Sequence, residues 1–141
     1  MDRPLVAVDT VIEKEGRIVL IRRKKKHFKN YFSLPGGFVD YCEYVEDAAI
    51  RETKEETNLD VKLKEILGIY SDPKRDPRGP VISIVFIAKP LTLELKGKDD
   101  AKEAKWFEIN KIPKKLAFDH SKILGDYLKF KSRKQTFWSK K

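Results

Sequence analysis

The segment from Gly36 to Leu59 constrains this chain most. A Gly36-Gly37 pair is followed by a run rich in Ala, Glu, Arg and Lys, Val45 to Thr57, that contains neither glycine nor proline. That run reads as a helix, and Asn58 sits where a left-handed cap would close it. At about 100° per residue, Glu52, Glu55 and Glu56 fall within an arc of roughly 120° together with Ala48 and Ala49. Lys54 and Asp47 fall on the opposite side. Small apolar residues mark the face that packs on a sheet. Carboxylates on that face repel one another at i,i+3 and i,i+4, and an unpaired buried charge is costly. A divalent cation among them resolves both costs, and hard oxygen ligands suit Mg²⁺ or Mn²⁺. The plain alternative is an exposed Glu-rich helix. The flanks argue against it. Gly36-Gly37 lets backbone approach a ligand closely, and a backbone carbonyl there can complete a metal shell. Glu43 lies beside the helix start, where the dipole favours an anion. Arg51 stands four residues before Glu55, within reach of a carboxylate.

The rest of the chain limits the chemistry. At 141 residues it reads as one domain. The single cysteine, Cys42, forms neither an intrachain disulfide nor a Cys-based zinc site, and two histidines, His27 and His120, are too few for a His-rich one. Any metal chemistry therefore uses oxygen ligands. No apolar stretch reaches the 18 or more residues of a membrane span, and the N-terminus lacks a signal-peptide core, so a cytoplasmic protein is expected. The formal charge of +9 gathers in Arg22–Lys26 and in the end of the chain, 129–141. Such a field attracts polyanionic small substrates as well as nucleic acid.

Strands are expected over Leu5–Ile12, Arg17–Arg22, Tyr31–Leu34, Val61–Tyr70, Val81–Lys89 and Ala104–Ile109, with a second helix over Phe118–Phe130. Pro35-Gly36-Gly37 is expected to break the third strand, and Ser71–Pro80 reads as a surface loop. The order implies an α+β fold, a mixed β-sheet between helices.

Gly37, five residues, Glu43, seven residues, and then Arg51-Glu52-Thr53-Lys54-Glu55-Glu56-Thr57-Asn58-Leu59 closely resembles the Nudix box, G-x5-E-x7-R-E-U-x-E-E-x-G-U. Thr53 stands where the box has an aliphatic residue, and Asn58 where it has glycine. Neither change removes a charged position. The resemblance implies a Nudix-type α/β/α sandwich, with a domain over residues 3–131 and a basic C-terminal tail over 132–141. It implies an active enzyme that hydrolyses a nucleoside diphosphate linked to another moiety. Glu52 and Glu56 would be the principal Mg²⁺ ligands, with Mn²⁺ a possible substitute. Glu55 would be a further ligand or act through metal-bound water, and the Gly36 carbonyl would complete the shell. Arg51 would orient the carboxylates and Glu43 buttress the loop–helix junction. The general base would come from the box or from the later stretch Asp99–Glu103, where Glu103 is the best candidate.

Outside the box, Pro4–Asp9, Leu34–Val39, Tyr70–Gly79 and Leu116–His120 resemble the ADP-ribose pyrophosphatase branch, which implies ADP-ribose as substrate and a small-molecule partner. Arg75 and Arg78 offer planar forks for phosphate or ribose oxygens, though one of them is also placed to pair with Asp72 or Asp76. Phe38 and Phe118 are candidates to stack adenine, and Arg23 to reach the pyrophosphate. His120 reads as a hydrogen-bonding residue at a helix start. Dimers are common in that branch, so a homodimer is expected by analogy. Two alternatives stay open. One is a Nudix hydrolase of an oxidised nucleotide, dinucleoside polyphosphate or other sugar nucleotide. The other is a nucleotide-sensing or RNA-binding module that uses Phe130, Phe137 and Trp138 among the tail lysines. Nucleic acid is the less expected partner.

Overall fold

The computed structural model describes residues 2–95 and 103–141. Its first two strands, β1 (Leu5–Lys14) and β2 (Arg17–Arg22), form a hairpin closed at Glu15 and Gly16, both at positive φ. Next come β3 (Phe32–Ser33), β4 (Gly36–Phe38), the helix α1 (Val45–Thr57), β5 (Val61–Tyr70) and β6 (Val81–Pro90). The chain ends with β7 (Glu103–Glu108), a 3₁₀ turn at Ile109–Lys111, α2 (His120–Ser132) and β8 (Phe137–Trp138). The strand order is β3-β2-β1-β6-β5-β8, with β4 paired to β1 and β7 to β2. β1 and β6 run parallel, while β5 and β6 are antiparallel, so the sheet is mixed.

β1 explains the layering. Side chains alternate along a strand. Val8 joins a cluster with Ala48 and Ala49 of α1 and Phe86 of β6. Val11 joins the larger cluster with Ile123, Leu124 and Tyr127 of α2. One strand thus feeds both helix layers, and the expected α/β/α sandwich follows. The same alternation sends Thr10 to Thr53 of α1, at 3.1 Å between hydroxyls, and sends Asp9 toward α2.

Three elements differ from the sequence reading. β3 ends at Ser33, before Pro35, as expected, but the Gly36-Gly37 pair is not a turn. It forms β4, in register Asp9↔Gly36, Val8↔Gly37 and Ala7↔Phe38. The pair is needed because a β-carbon at Gly36 would overlap the Val8 carbonyl and the Asp9 carboxylate. The last helix starts at His120, because Phe118 adopts φ +56°, outside the right-handed helical region. Residues 132–141, set apart above as a tail, are docked. β8 runs parallel to β5 at Gly68↔Phe137, and Phe137 is buried in the larger cluster.

Candidate active site

α1 carries the box carboxylates, and its burial sorts them. Ala48, Ala49, Thr53, Glu56 and Thr57 are buried, so the stripe against the sheet is centred near Glu56. Glu52 lies at the edge of that stripe. Glu55 lies beyond it, with its side chain 57% exposed. Thr53 keeps its place in the core by pairing its hydroxyl with Thr10. Asn58 closes the helix at φ +71°, donating its backbone N–H to Lys54 O at 2.9 Å.

Glu56 accepts the Gly36 backbone N–H at 2.8 Å, which ties α1 to β4. A β-carbon at Gly37 would overlap the Glu52 carboxylate, so the bare backbone of β4 is what lets Glu52 lie there. Burial raises the Glu52 pKa, with Glu55 and Glu56 adding to the rise and the Arg51 hydrogen bond opposing it. Arg51 is the hub. Its Nε and Nη2 donate to the two Glu43 oxygens at 2.9 Å each, Nη1 donates to Glu52 at 2.8 Å, and Nη2 also donates to the Phe38 carbonyl at 3.2 Å. The Arg51 hydrogen bonds, with the Asp40 N–H, hold the Glu43 carboxyl down to about 2.

A cavity of about 220 Å³ opens over these groups. Gly36, Gly37, Glu52 and Glu56 line it together with Arg23, Phe38, Arg78 and Phe118. The latter four alternate cations and rings. The Arg23 guanidinium lies 4.7 Å from the Phe118 centroid, and that of Arg78 lies 5.0 Å from Phe38 and 5.7 Å from Phe118. Burial and the neighbouring Arg78 lower the Arg23 pKa, while Glu56, Asp76 and Asp9 oppose the fall. Acidic and basic groups thus share the lining of one cavity.

The sequence-predicted residues divide accordingly. Gly36, Glu52, Glu56, Arg23, Phe38, Arg78 and Phe118 come together, and Arg51 braces them from behind. Glu55 stands outside the lining. Arg75 lines the cavity, but its side chain is only 3% exposed and its fork is closed on Asp119, at 3.0 and 2.7 Å. It anchors the loop before β6 to the start of α2 instead of offering a free fork. Arg78 makes the pairing expected of one arginine, with Asp76, at 3.0 and 2.7 Å. Glu103 is not brought to the cavity. It opens β7 opposite Arg22 and is paired with Lys105 at 3.0 Å and Arg22 at 3.8 Å. The Lys105 hydrogen bond is the main cause of its lowered pKa, which is the wrong direction for a base. The other base candidates, 99–102, lie outside the described residues.

Sequence reasoning passed over Asp9 as a site residue. It lies at the cavity floor, its Oδ2 accepting the Ser83 hydroxyl at 2.5 Å. Burial pushes its carboxyl up to about 7. The available signal was a lone acid within an apolar strand. His120, beside it, does hydrogen-bond at the helix start, its Nδ1 accepting the Leu34 N–H at 3.0 Å. Burial holds its pKa down to about 3.

The model of the NUDIX domain matches residues 2–127. The chain belongs to the Nudix family. It is 58% identical over 129 residues to an ADP-ribose pyrophosphatase of Methanocaldococcus jannaschii, covering 92% of this chain and 76% of that protein. A NUDIX hydrolase from Nitrosomonas europaea superposes with a TM-score of 0.84 at 26% identity, over 99% of this chain and 79% of that one. A bifunctional NMN adenylyltransferase/ADP-ribose pyrophosphatase from Francisella tularensis, solved with AMP and a manganese ion, gives a TM-score of 0.74 at 29% identity. That match covers 92% of this chain and 42% of the other. Among the described residues no three acidic or histidine side chains converge in a ready-made metal cage. Two carboxylates at the cavity wall are nonetheless the donor set magnesium commonly uses, since it takes one or two carboxylates and completes its shell with water and phosphate.

Proposed function

We propose that this Nudix protein hydrolyses ADP-ribose to AMP and ribose 5-phosphate with a divalent metal ion, Mg²⁺ or in its place Mn²⁺. The observation that carries the reading is that Glu52, Glu56 and Gly36 share the lining of one cavity with Arg23 and Arg78. The high identity to the M. jannaschii pyrophosphatase supports the choice of substrate, and the manganese-bound relative supports the metal.

In this reading Glu52, Glu56 and the Gly36 carbonyl would hold the metal. Bound there, it would supply neutralisation of the pyrophosphate oxygens and a lowered pKa for a water. Arg51 keeps Glu52 aligned and Glu43 keeps Arg51 aligned, so the carboxylates are set before substrate arrives. Arg23 and Arg78, in the same lining, attract the pyrophosphate, and Phe38 and Phe118 offer faces to the adenine. Arg75 positions the loop that carries Arg78. Glu55, exposed beside Glu52, is better placed than Glu103 to take a proton from water at the cavity rim. No protein nucleophile is needed, since in-line displacement at phosphorus depends on positioning and charge.

Residues 3–131 form the Nudix domain in this proposal, with 132–141 its docked end. By analogy with its branch the protein forms a homodimer in this proposal: Ile69 and its β8 partner Trp138, 48% and 50% exposed, are apolar surface that a second copy would cover, and light scattering would detect the dimer.

The test is product analysis after incubation with ADP-ribose, dNTPs, dinucleoside polyphosphates and sugar nucleotides. Selective, EDTA-sensitive release of AMP and ribose 5-phosphate is expected. Cleavage of another panel member with ADP-ribose untouched would overturn the substrate, and silence across the panel would overturn the enzyme.

A further inference from the structure

Asp9 and His120 are held in place by partners that leave one polar atom of each unspent. The Leu34 N–H donates to His120 Nδ1 at 3.0 Å, which fixes the tautomer with its proton on Nε2. Nε2 faces Asp9 Oδ1 at 3.7 Å, too far for a hydrogen bond. The Ser83 hydroxyl takes Asp9 Oδ2, and the Arg75 guanidinium stands 4.0 Å from that oxygen while closed on Asp119. Neither Nε2–H nor Oδ1 has a hydrogen-bond partner among the described residues. Both residues are nearly buried, at 2% and 7% exposure, and both line the cavity. A donor and an acceptor thus sit side by side on its floor.

We propose that Asp9 and His120 form a subsite for the vicinal hydroxyls of a ribose, one hydroxyl accepting from His120 Nε2–H and its neighbour donating to Asp9 Oδ1. Two observations select a sugar. Asp9 Oδ1 abuts the backbone of Gly36, whose N–H is bonded to Glu56, so a group bound there lies beside the carboxylates of α1. In its ionised form Asp9 also repels phosphate oxygens and suits a neutral donor. Phe118, whose ring centroid lies 5.4 Å from that of His120, gives a flat partner a face beside the subsite. The subsite deepens the proposed function and rests on it for the identity of the substrate.

The test compares kcat/KM for ADP-ribose with that for its 2′-deoxy and 2″-deoxy analogues, in wild type, Asp9→Asn and His120→Gln. A site built to hydrogen-bond a hydroxyl rejects the analogue that lacks it. One of the two analogues is expected to lose about tenfold or more in wild type, and that ratio is expected to fall toward one in both variants. The analogue affected tells which ribose is read. Equal kcat/KM for all three substrates in wild type would overturn the subsite while leaving the hydrolase reading intact. So would variants that slow all three equally, which is what a purely structural role produces. Calorimetry of metal-free wild type with ribose 5-phosphate and 2-deoxyribose 5-phosphate separates the two ideas. Preference for the ribose form with no ADP-ribose hydrolysis would keep the subsite and remove the hydrolase reading. No preference together with no hydrolysis would remove both.

Discussion

Glu56 shows how much one side chain is asked to do. It is buried in α1, fixes β4 through the Gly36 N–H, and presents a carboxylate to the cavity. Glu56→Gln keeps the shape and removes the charge, so turnover is expected to fall by about two orders of magnitude or more. Its thermal unfolding midpoint should change little, read by circular dichroism. Thr53 makes the opposite kind of prediction, on stability. Thr53→Val strands the Thr10 hydroxyl in the core, and a loss of about 1–3 kcal/mol is expected in urea unfolding. The double variant with Thr10→Val should recover most of it, because removing both partners leaves no unpaired group. Arg51 was legible as a carboxylate holder from its spacing to Glu55. The structure gives that contact 3.4 Å and gives Glu43 and Glu52 the short ones. Spacing along a helix finds i,i+4 neighbours; it does not show a loop folding a carboxylate back onto the same guanidinium.

At the scale of elements, α1 and its cap were readable because hydrophobic period, capping chemistry and absence of breakers agree there. β4 was not. A Pro-Gly-Gly sequence signals a turn, and only the approach of Glu52 and Asp9 to the bare backbone shows why an extended glycine pair is required. Gly37→Ala is therefore expected to displace Glu52 and lower both metal affinity and turnover by about tenfold or more, a close-approach effect. The Mn²⁺ signal in electron paramagnetic resonance reports the first directly. β8 escaped the sequence reading because two residues carry no period. Phe137 was the available signal, an aromatic among charges. Deleting 136–141 removes a buried aromatic and an edge strand, so a loss of about 3–5 kcal/mol is expected in urea unfolding. An unchanged unfolding midpoint would return this segment to the status of a solvated tail.

Across the whole molecule, the two buried ionisable groups of the cavity floor set opposing pH dependences. Asp9 is raised from 3.8 to about 7, so between those values the folded chain binds a proton the unfolded chain has lost, and stability falls as pH rises. His120 is lowered from 6.5 to about 3, so across that window the unfolded chain binds the extra proton, and stability rises with pH. The two slopes oppose each other from about pH 4 to 6.5. His120→Gln removes the rising one. Relative to wild type, its metal-free stability is expected to decline as pH increases through that range, and a constant difference between the two chains would contradict the assignment.

The most direct measurement is a Mn²⁺ titration of wild type and Glu56→Gln followed on the same samples by ADP-ribose turnover. Wild type is expected to bind the ion and release AMP and ribose 5-phosphate in proportion to occupancy, and the variant to lose both together while remaining folded. Unchanged Mn²⁺ binding and turnover in a folded Glu56→Gln protein would contradict the metal-carboxylate site.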